Sequence, residues 1–281
     1  SALYIQTGNV SNNGLELALG YSNNWGGFGW SSNYTLSSNR NRINELVRNY
    51  VHPETGAVIN KDRLDVGGLG NAHFILKEGG TLGDLYSLTD VKRDDKGYIY
   101  VDKDGKVYRN NNVGDVKLGS VFPKANMAWR NDFSYKGFNL SVMVSARFGG
   151  IVYSATQAAL DLYGVSESSA KARDKGYVEV NGNDYLTPES WYSTVGGSDG
   201  IPQYYTYSAT NVRLQEASLS YTFKKNHFFG LGDLTLSVTG RNLLMFYCKA
   251  PFDPETTATT SNYYQGIDKF MTPSTRTIGF N

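Results

Sequence analysis

Charge is scarce in this chain. Lys, Arg, Asp and Glu make up 19% of its 281 residues, and the net charge is +1. Typical soluble domains carry about 25% charged residues. A surface for nucleic acid or anionic lipid headgroups needs a concentrated excess of Lys and Arg, so nucleic acid is not an expected partner. The mixed run Val91-Lys92-Arg93-Asp94-Asp95-Lys96 reads as a solvated loop. One cysteine, Cys248, excludes an internal disulfide framework. Three histidines, His52, His73 and His227, leave little for a His-based metal centre. No H-E-x-x-H, C-x-x-C or G-x-S-x-G occurs, and Gly67-Gly68-Leu69-Gly70 lacks the strand-turn-helix setting of a dinucleotide site. The longest uncharged run, Leu17 to Asn39, is too rich in Asn, Ser and Gly for a transmembrane helix. The opening Ser1-Ala2-Leu3-Tyr4 is no secretory signal, so a mature, trimmed or partial chain is expected.

Glycine (31), tyrosine (21) and asparagine (25) are abundant instead. They disfavour helix and favour strands joined by much loop. Period-two alternation marks seven strands. Leu15, Leu17, Leu19 and Tyr21 share one face of Asn13–Ser22. Phe28, Trp30, Tyr34 and Leu36 share one of Gly27–Ser37. Met127, Trp129, Phe133 and Tyr135 lie against Asn126, Arg130, Asp132 and Ser134, and Phe138–Phe148 is the cleanest alternation, with Phe138, Leu140, Val142, Val144, Ala146 and Phe148 against Asn139, Ser141, Met143, Ser145 and Arg147. Three more strands begin near Asn211, Leu234 and Thr277. At roughly ten residues each, these match the length of a tilted membrane-crossing strand.

Short connections (Asn23 to Trp25, Lys136-Gly137, Lys225 to Gly232) alternate with long ones (Ser38 to Lys124, Gly149 to Thr210, Met245 to Thr272). That pattern belongs to outer-membrane barrels, which have short periplasmic turns and long extracellular loops. Aromatics near strand ends suit an interfacial girdle, and the small polar faces suit a wet lumen. Periodicity alone leaves open which face points inward. A soluble, secreted or surface glycan-binding β-protein would place Leu17, Val142 and Leu236 inside. Seven strands are too few to close a wide barrel, so the fold class expected is all-β, a part of a larger antiparallel transmembrane barrel.

Several segments resemble one family. Gly8-Asn9-Val10-Ser11-Asn12-Asn13-Gly14-Leu15, the turn around Tyr135-Lys136-Gly137-Phe138, Asn211-Val212-Arg213-Leu214-Gln215-Glu216, Gly240-Arg241-Asn242-Leu243-Leu244, Ala250-Pro251-Phe252-Asp253-Pro254-Glu255 and Pro273-Ser274-Thr275-Arg276 follow one order along nearly the whole chain. They resemble the late barrel strands of the SusC/RagA-like TonB-dependent transporters of Bacteroidetes. The resemblance implies that residues 1–281 are a C-terminal segment of a roughly 22-stranded barrel, without the plug domain or the segment that contacts TonB. It implies an outer-membrane importer of oligosaccharides or peptides and no enzymatic role. Its partners would be the rest of the barrel and plug, a SusD-like surface lipoprotein, the TonB system and outer-membrane lipid. No cofactor is implied.

Sugar rings offer C–H faces and hydroxyls, which tyrosine can meet with both a flat ring and a polar tip. Trp191, Tyr204, Tyr205 and Tyr207 in the second long loop, with Tyr263 and Tyr264 in the third, are therefore the candidate substrate contacts. The same rings could contact the lipoprotein or pack the loops together. Asp102-Lys103-Asp104-Gly105 resembles part of a calcium loop but reads first as a hairpin turn. A glycoside hydrolase would need two facing carboxylates, and Glu179, Asp184 and Glu189 are loop residues with nothing to bring them together. Arg130, Asp132, Arg147 and Arg241 could form cross-strand pairs on a lumenal face.

Overall fold

The computed structural model describes residues 8–224, 232–256 and 264–281, without the side chains of residues 183–185. Seven strands form one antiparallel sheet in chain order: β1 (Asn9–Trp25), β2 (Phe28–Glu45), β3 (Ala125–Tyr135), β4 (Phe138–Phe148), β5 (Asn211–Phe223), β6 (Leu234–Cys248) and β7 (Thr277–Phe280). β1 and β7 are its two edges, so these strands make an open wall. Trp25-Gly26-Gly27-Phe28 and Tyr135-Lys136-Gly137-Phe138 turn at one end of the wall. The third short connection lies largely outside the described residues.

Register carries the alternation across the sheet. Leu17 faces Leu36, which faces Met127; Phe133 faces Leu140, Leu140 faces Leu219, and Leu219 faces Val238. The result is one broad apolar surface, interrupted by Ser32 and Asn131, which accept from the indoles of Trp129 and Trp30, and among the described residues nothing is packed on it: Leu15 is 63% exposed, Leu140 39% and Leu236 53%. Among the described residues Leu17, Val142 and Leu236 thus lie outside the core in which a soluble β-protein would place them. Rings crowd the short-turn end of this surface. Tyr21 lies 5.3 Å from Trp30, Trp30 stacks on Phe133 at 6.4 Å, and Phe138 meets Tyr221 at 4.5 Å. Eleven residues in β3 at about 3.3 Å each, tilted as barrel strands are, span about 25–30 Å, the height of a hydrocarbon core.

The opposite face is polar and carries a chain of charges. Arg130 pairs with Asp132 (3.2 Å) and lies 4.0 Å from Glu216, whose other oxygen accepts from Arg241 at 3.1 Å. Arg147 leaves this chain, donating instead to the carbonyl of Val121 at 2.7 Å.

Three strands run farther than their alternation predicts: β1 reaches back to Asn9 and on through Asn23 to Trp25, so its turn is Gly26-Gly27. β2 continues through Arg40, Asn41, Arg42 and Asn44 to Glu45, and β6 continues to Cys248. The extension of β2 has one apolar residue, the buried Ile43, among polar ones, so no repeating two-sided contrast marks it. In β6 the alternation is lost where extra residues break its register with β5. The long connections also differ from the sequence reading: they hold short sheets and three helices rather than plain loop.

Candidate functional site

All three long connections fold together above one end of the wall. The first supplies a four-stranded sheet in the order Val116–Ser120, Asp84–Ser87, Ala72–Lys77, Arg63–Leu69. The second supplies helices α1 (Ala155–Leu162), α2 (Glu167–Lys175) and α3 (Pro188–Val195). Each helix starts on a hydroxyl that accepts an otherwise unpaired N–H: Ser154 from Gln157, Ser166 from Ser169, and Thr187 from Ser190. The third adds Ile267–Asp268, which pairs in parallel with Ile151–Ser154.

One apolar core joins them. Phe74 and Leu85 from the first loop pack with Tyr153, Leu186, Ile201 and Tyr205 from the second and Ile267 from the third. Polar contacts seal the joints. The Asn71 amide donates to the carbonyls of Asp199 (2.7 Å) and Gly200 (2.9 Å). Ser154 donates to Asp268 at 2.6 Å while capping α1. Gly70 has φ +59°, and a Cβ there would fall 1.8 Å from the Ser198 carbonyl oxygen, so only glycine lets the first loop lie against the second.

The predicted aromatic residues divide within this body. Trp191 and Tyr204 meet edge to face at 4.9 Å and pack against the core. Tyr205 is 3% exposed, and burial, with the charge of Asp161, pushes its phenol well above the usual range. Tyr207 is half-buried and meets Phe252 edge-on at 5.8 Å, joining the second loop to the third. Tyr264 packs edge-on against Phe74 at 6.1 Å, yet 40% of it faces outward. Tyr263 lies outside the described residues. Tyr153, also in the core, has its phenol pushed up to about 12 by burial.

The Asp102 carboxylate accepts from the backbone N–H groups of Asp104 and Lys106 and, at 2.5 Å, from the Tyr108 hydroxyl. The Tyr108 contact, helped by those N–H groups, holds it below the usual carboxylate range. This is a tight turn that spends its carboxylate locally. The flanking runs do not pair as one hairpin: Lys92 receives the N–H of Tyr100 and donates its own N–H to Tyr108. Among the described residues no three His, Cys, Asp or Glu side chains converge as a metal site. Glu179 pairs with Lys175 at 3.7 Å, and Glu189 sits in the first turn of α3.

Sequence reasoning missed an ion pair at the top of β5. The Arg213 guanidinium donates through two nitrogens to Asp253, at 2.7 and 2.9 Å, with both side chains buried. Asn211 and Asn242 accept from it as well, at 3.1 and 3.3 Å, and Glu255 lies at 3.3 Å. An extra residue, Gln215, shifts the register so that Arg213 shares the polar face with Glu216. The signal was present as three separate motifs. Burial alone would raise the Asp253 carboxyl; the Arg213 guanidinium and the Glu255 N–H outweigh it and hold that group below its ordinary range.

No protein-family model matches the chain. It is 25% identical over 300 residues to TonB-dependent receptor P3 of Formosa agariphila, covering 96% of this chain and 28% of that protein. It is 26% identical to TonB-dependent receptor P26 of the same organism, covering 98% and 29%. The chain thus spans under a third of the length of these relatives. Its fold matches the RagAB peptide importer in the open-open state (TM-score 0.63) and the closed-closed state (0.64), at 16% identity, over 96% of this chain and 28–29% of the other. An open wall with a lipid-type face, short turns opposite long loops, and these likenesses over nearly its full length describe a barrel-wall segment similar to those of TonB-dependent outer-membrane receptors.

Proposed function

We propose that this segment is the C-terminal part of the barrel of a nutrient importer that takes up oligosaccharides or peptides. One observation carries the reading: the three long loops gather into a single packed body, above a wall whose lumenal face stays polar. A body of this kind can meet a ligand outside the cell and pass it to a wet interior. The charge chain Asp132, Arg130, Glu216 and Arg241 faces the space where a plug domain would sit, and the outer surface of the loops is where a SusD-like lipoprotein would dock. Import energy would come from the TonB system through that plug.

Within the body, Trp191, Tyr204 and Tyr205 shape the loops from inside. Ligand contact falls to the more open rings, Tyr207 and Tyr264, with Tyr263 beside the latter in sequence. In cells whose transporter carries Tyr207→Ala and Tyr264→Ala, assembly in the outer membrane should be normal and uptake should fall. Unchanged uptake would assign these rings to packing or to the lipoprotein. The polypeptide that bears this sequence, extracted from outer membranes in detergent, should be several times heavier than 31.1 kDa; a species of that mass would overturn the larger-barrel reading.

A further inference from the structure

A net charge of +1 gives the chain as a whole no pull on anions, yet two cations stand together on the outer face of the wall. In β2 the pleat sends Leu36, Ser38, Arg40 and Arg42 to the lipid side. It sends Asn41 and the buried Ile43 to the side that the first loop covers, where Asn41 accepts from Leu82 N–H and Ile43 bonds to Gly79 and Gly80. The apolar belt ends one row below the arginines. Leu15 stands opposite Ser38, and Phe148 opposite Ala125, one position beyond the Asn126–Ser37 pair. At about 3.3 Å per residue and a tilt of about 40°, the run of β2 from Phe28 to Arg40 rises about 30 Å, and Arg42 stands about 35 Å up. The apolar band of such walls is about 25 Å tall. Both arginines therefore sit about 5–10 Å above it, in the headgroup layer.

Arg40 and Arg42 are exposed, and among the described residues neither side chain has a hydrogen-bond or ion-pair partner. Other arginines of the wall are spent: Arg241 on Glu216, Arg213 on Asp253 and Arg147 on the Val121 carbonyl. Beyond the end of β2, Arg48 takes up Glu45 at 3.6 Å and Glu78 at 3.0 Å. Across on β1, Asn13 is opposite Arg40 and Ser11 is opposite Arg42. Their side chains also bond to no described group. Residues two apart on a strand lie about 7 Å apart, and cross-strand partners about 5 Å, so two guanidinium forks, an amide and a hydroxyl can close on one anion. A guanidinium matches a phosphate through two parallel N–H bonds. The place of β2 decides what can reach this group. It lies between β1 and β3, so further wall strands would join at the β1 or β7 edge, and a plug would lie on the opposite face. The surface that meets these arginines is the membrane.

We infer that Arg40 and Arg42, with Asn13 and Ser11, bind the phosphate of an outer-leaflet lipid whose acyl chains lie on the belt below, against Leu15 and Leu36. The inference rests on the importer reading for its orientation, with the long loops outside the cell, and goes beyond it in assigning a lipid partner. The test uses the full-length transporter bearing this segment, purified in detergent. It is titrated with lipid A that carries its phosphates and with the same lipid after phosphatase treatment, and bound lipid is counted by native mass spectrometry. The phosphorylated lipid should bind more tightly. Its affinity should fall at least about tenfold in Arg40→Gln/Arg42→Gln. Lys103→Gln/Lys106→Gln removes as much charge from the first loop and should leave that affinity unchanged. Asn13→Asp sets a carboxylate opposite Arg40, keeps both arginines, and should also weaken binding; it decides the matter if the double arginine variant does not assemble. Equal binding of the two lipids, an affinity unchanged in the arginine variant or in Asn13→Asp, or an equal loss in the lysine variant overturns the site. Displacement of the lipid by excess inorganic phosphate makes this a site for the free ion and overturns the lipid assignment. A failed binding test beside intact nutrient uptake removes this site alone, whereas absence of both removes the importer reading too.

Discussion

Arg213 and Asp253, 40 residues apart in the chain, close on each other as a two-pronged buried pair where β5 meets the third loop. The planar guanidinium fits the carboxylate at both oxygens, and lysine could not reproduce that fork. Arg213→Met leaves the buried Asp253 carboxylate without a counter-charge, at about 3–5 kcal/mol, whereas Asp253→Ala leaves Arg213 only the part-exposed Glu255 at 3.3 Å. Asp253→Ala and Arg213→Met should therefore each loosen the third loop. Hydrogen exchange across residues 249–256 of the assembled protein should rise in either variant. The double variant should exchange less than either single one, because no lone charge remains; equal protection in all four proteins would refute the anchor.

Acid should release the same anchor. Asp253 has a folded-state pKa below its unfolded value, so its stabilisation is fully present above the ordinary carboxylate pKa of about 3.9. It is lost as pH falls through the lower folded value. Proteolysis of the third loop should be unchanged from neutral pH to about 5 and should accelerate only below the usual carboxylate range. Acceleration already at pH 6 would point to another group.

The two faces of the wall predict opposite responses to one substitution. Val142→Arg puts a cation on the lipid face near the middle of β4, at a cost of about 2–4 kcal/mol near the bilayer midplane. Ser141→Arg puts the same group on the polar face beside Ser218, where water solvates it. The first variant should reduce heat-modifiable, folded protein in outer membranes, and the second should leave it near the parent level. Equal loss would contradict the assignment of faces.

Tyr205 and Tyr264 should separate packing from recognition. Truncating a large core ring costs about 3–5 kcal/mol, so Tyr205→Ala should lower the melting temperature of the loop body. Tyr264 keeps 40% of its surface open, and Tyr264→Ala should leave that temperature nearly unchanged.

The wall was legible in the sequence because its two solvents differ. Lipid on one side and water on the other impose alternation on Phe138 to Phe148, broken only at Met143, and the strand has those bounds. Where the surroundings become alike on both sides, as around Arg40 to Asn44, the pattern fades and the strand end could not be read. The loop body was illegible for a related reason. Its strands are two to seven residues long and its helices at most nine, too short for a stable period, and its core draws single residues such as Phe74, Tyr205 and Ile267 from three distant stretches. The ring types at the candidate site could be read, but their burial depends on those long-range contacts. The Arg213–Asp253 pair shows the same limit: both motifs were visible, and their meeting was not.

The parallel pairing of Tyr153 with Ile267 gives the second and third loops a shared strand as well as a shared core. Such a body cannot be exchanged piecemeal. Grafting one loop from a related barrel would strand half of a core and half of a sheet, so a new specificity must arrive either as surface substitutions on the present body or as all three loops at once. Inheritance of these outer segments as a block, rather than loop by loop, is the pattern this architecture imposes on its own diversification.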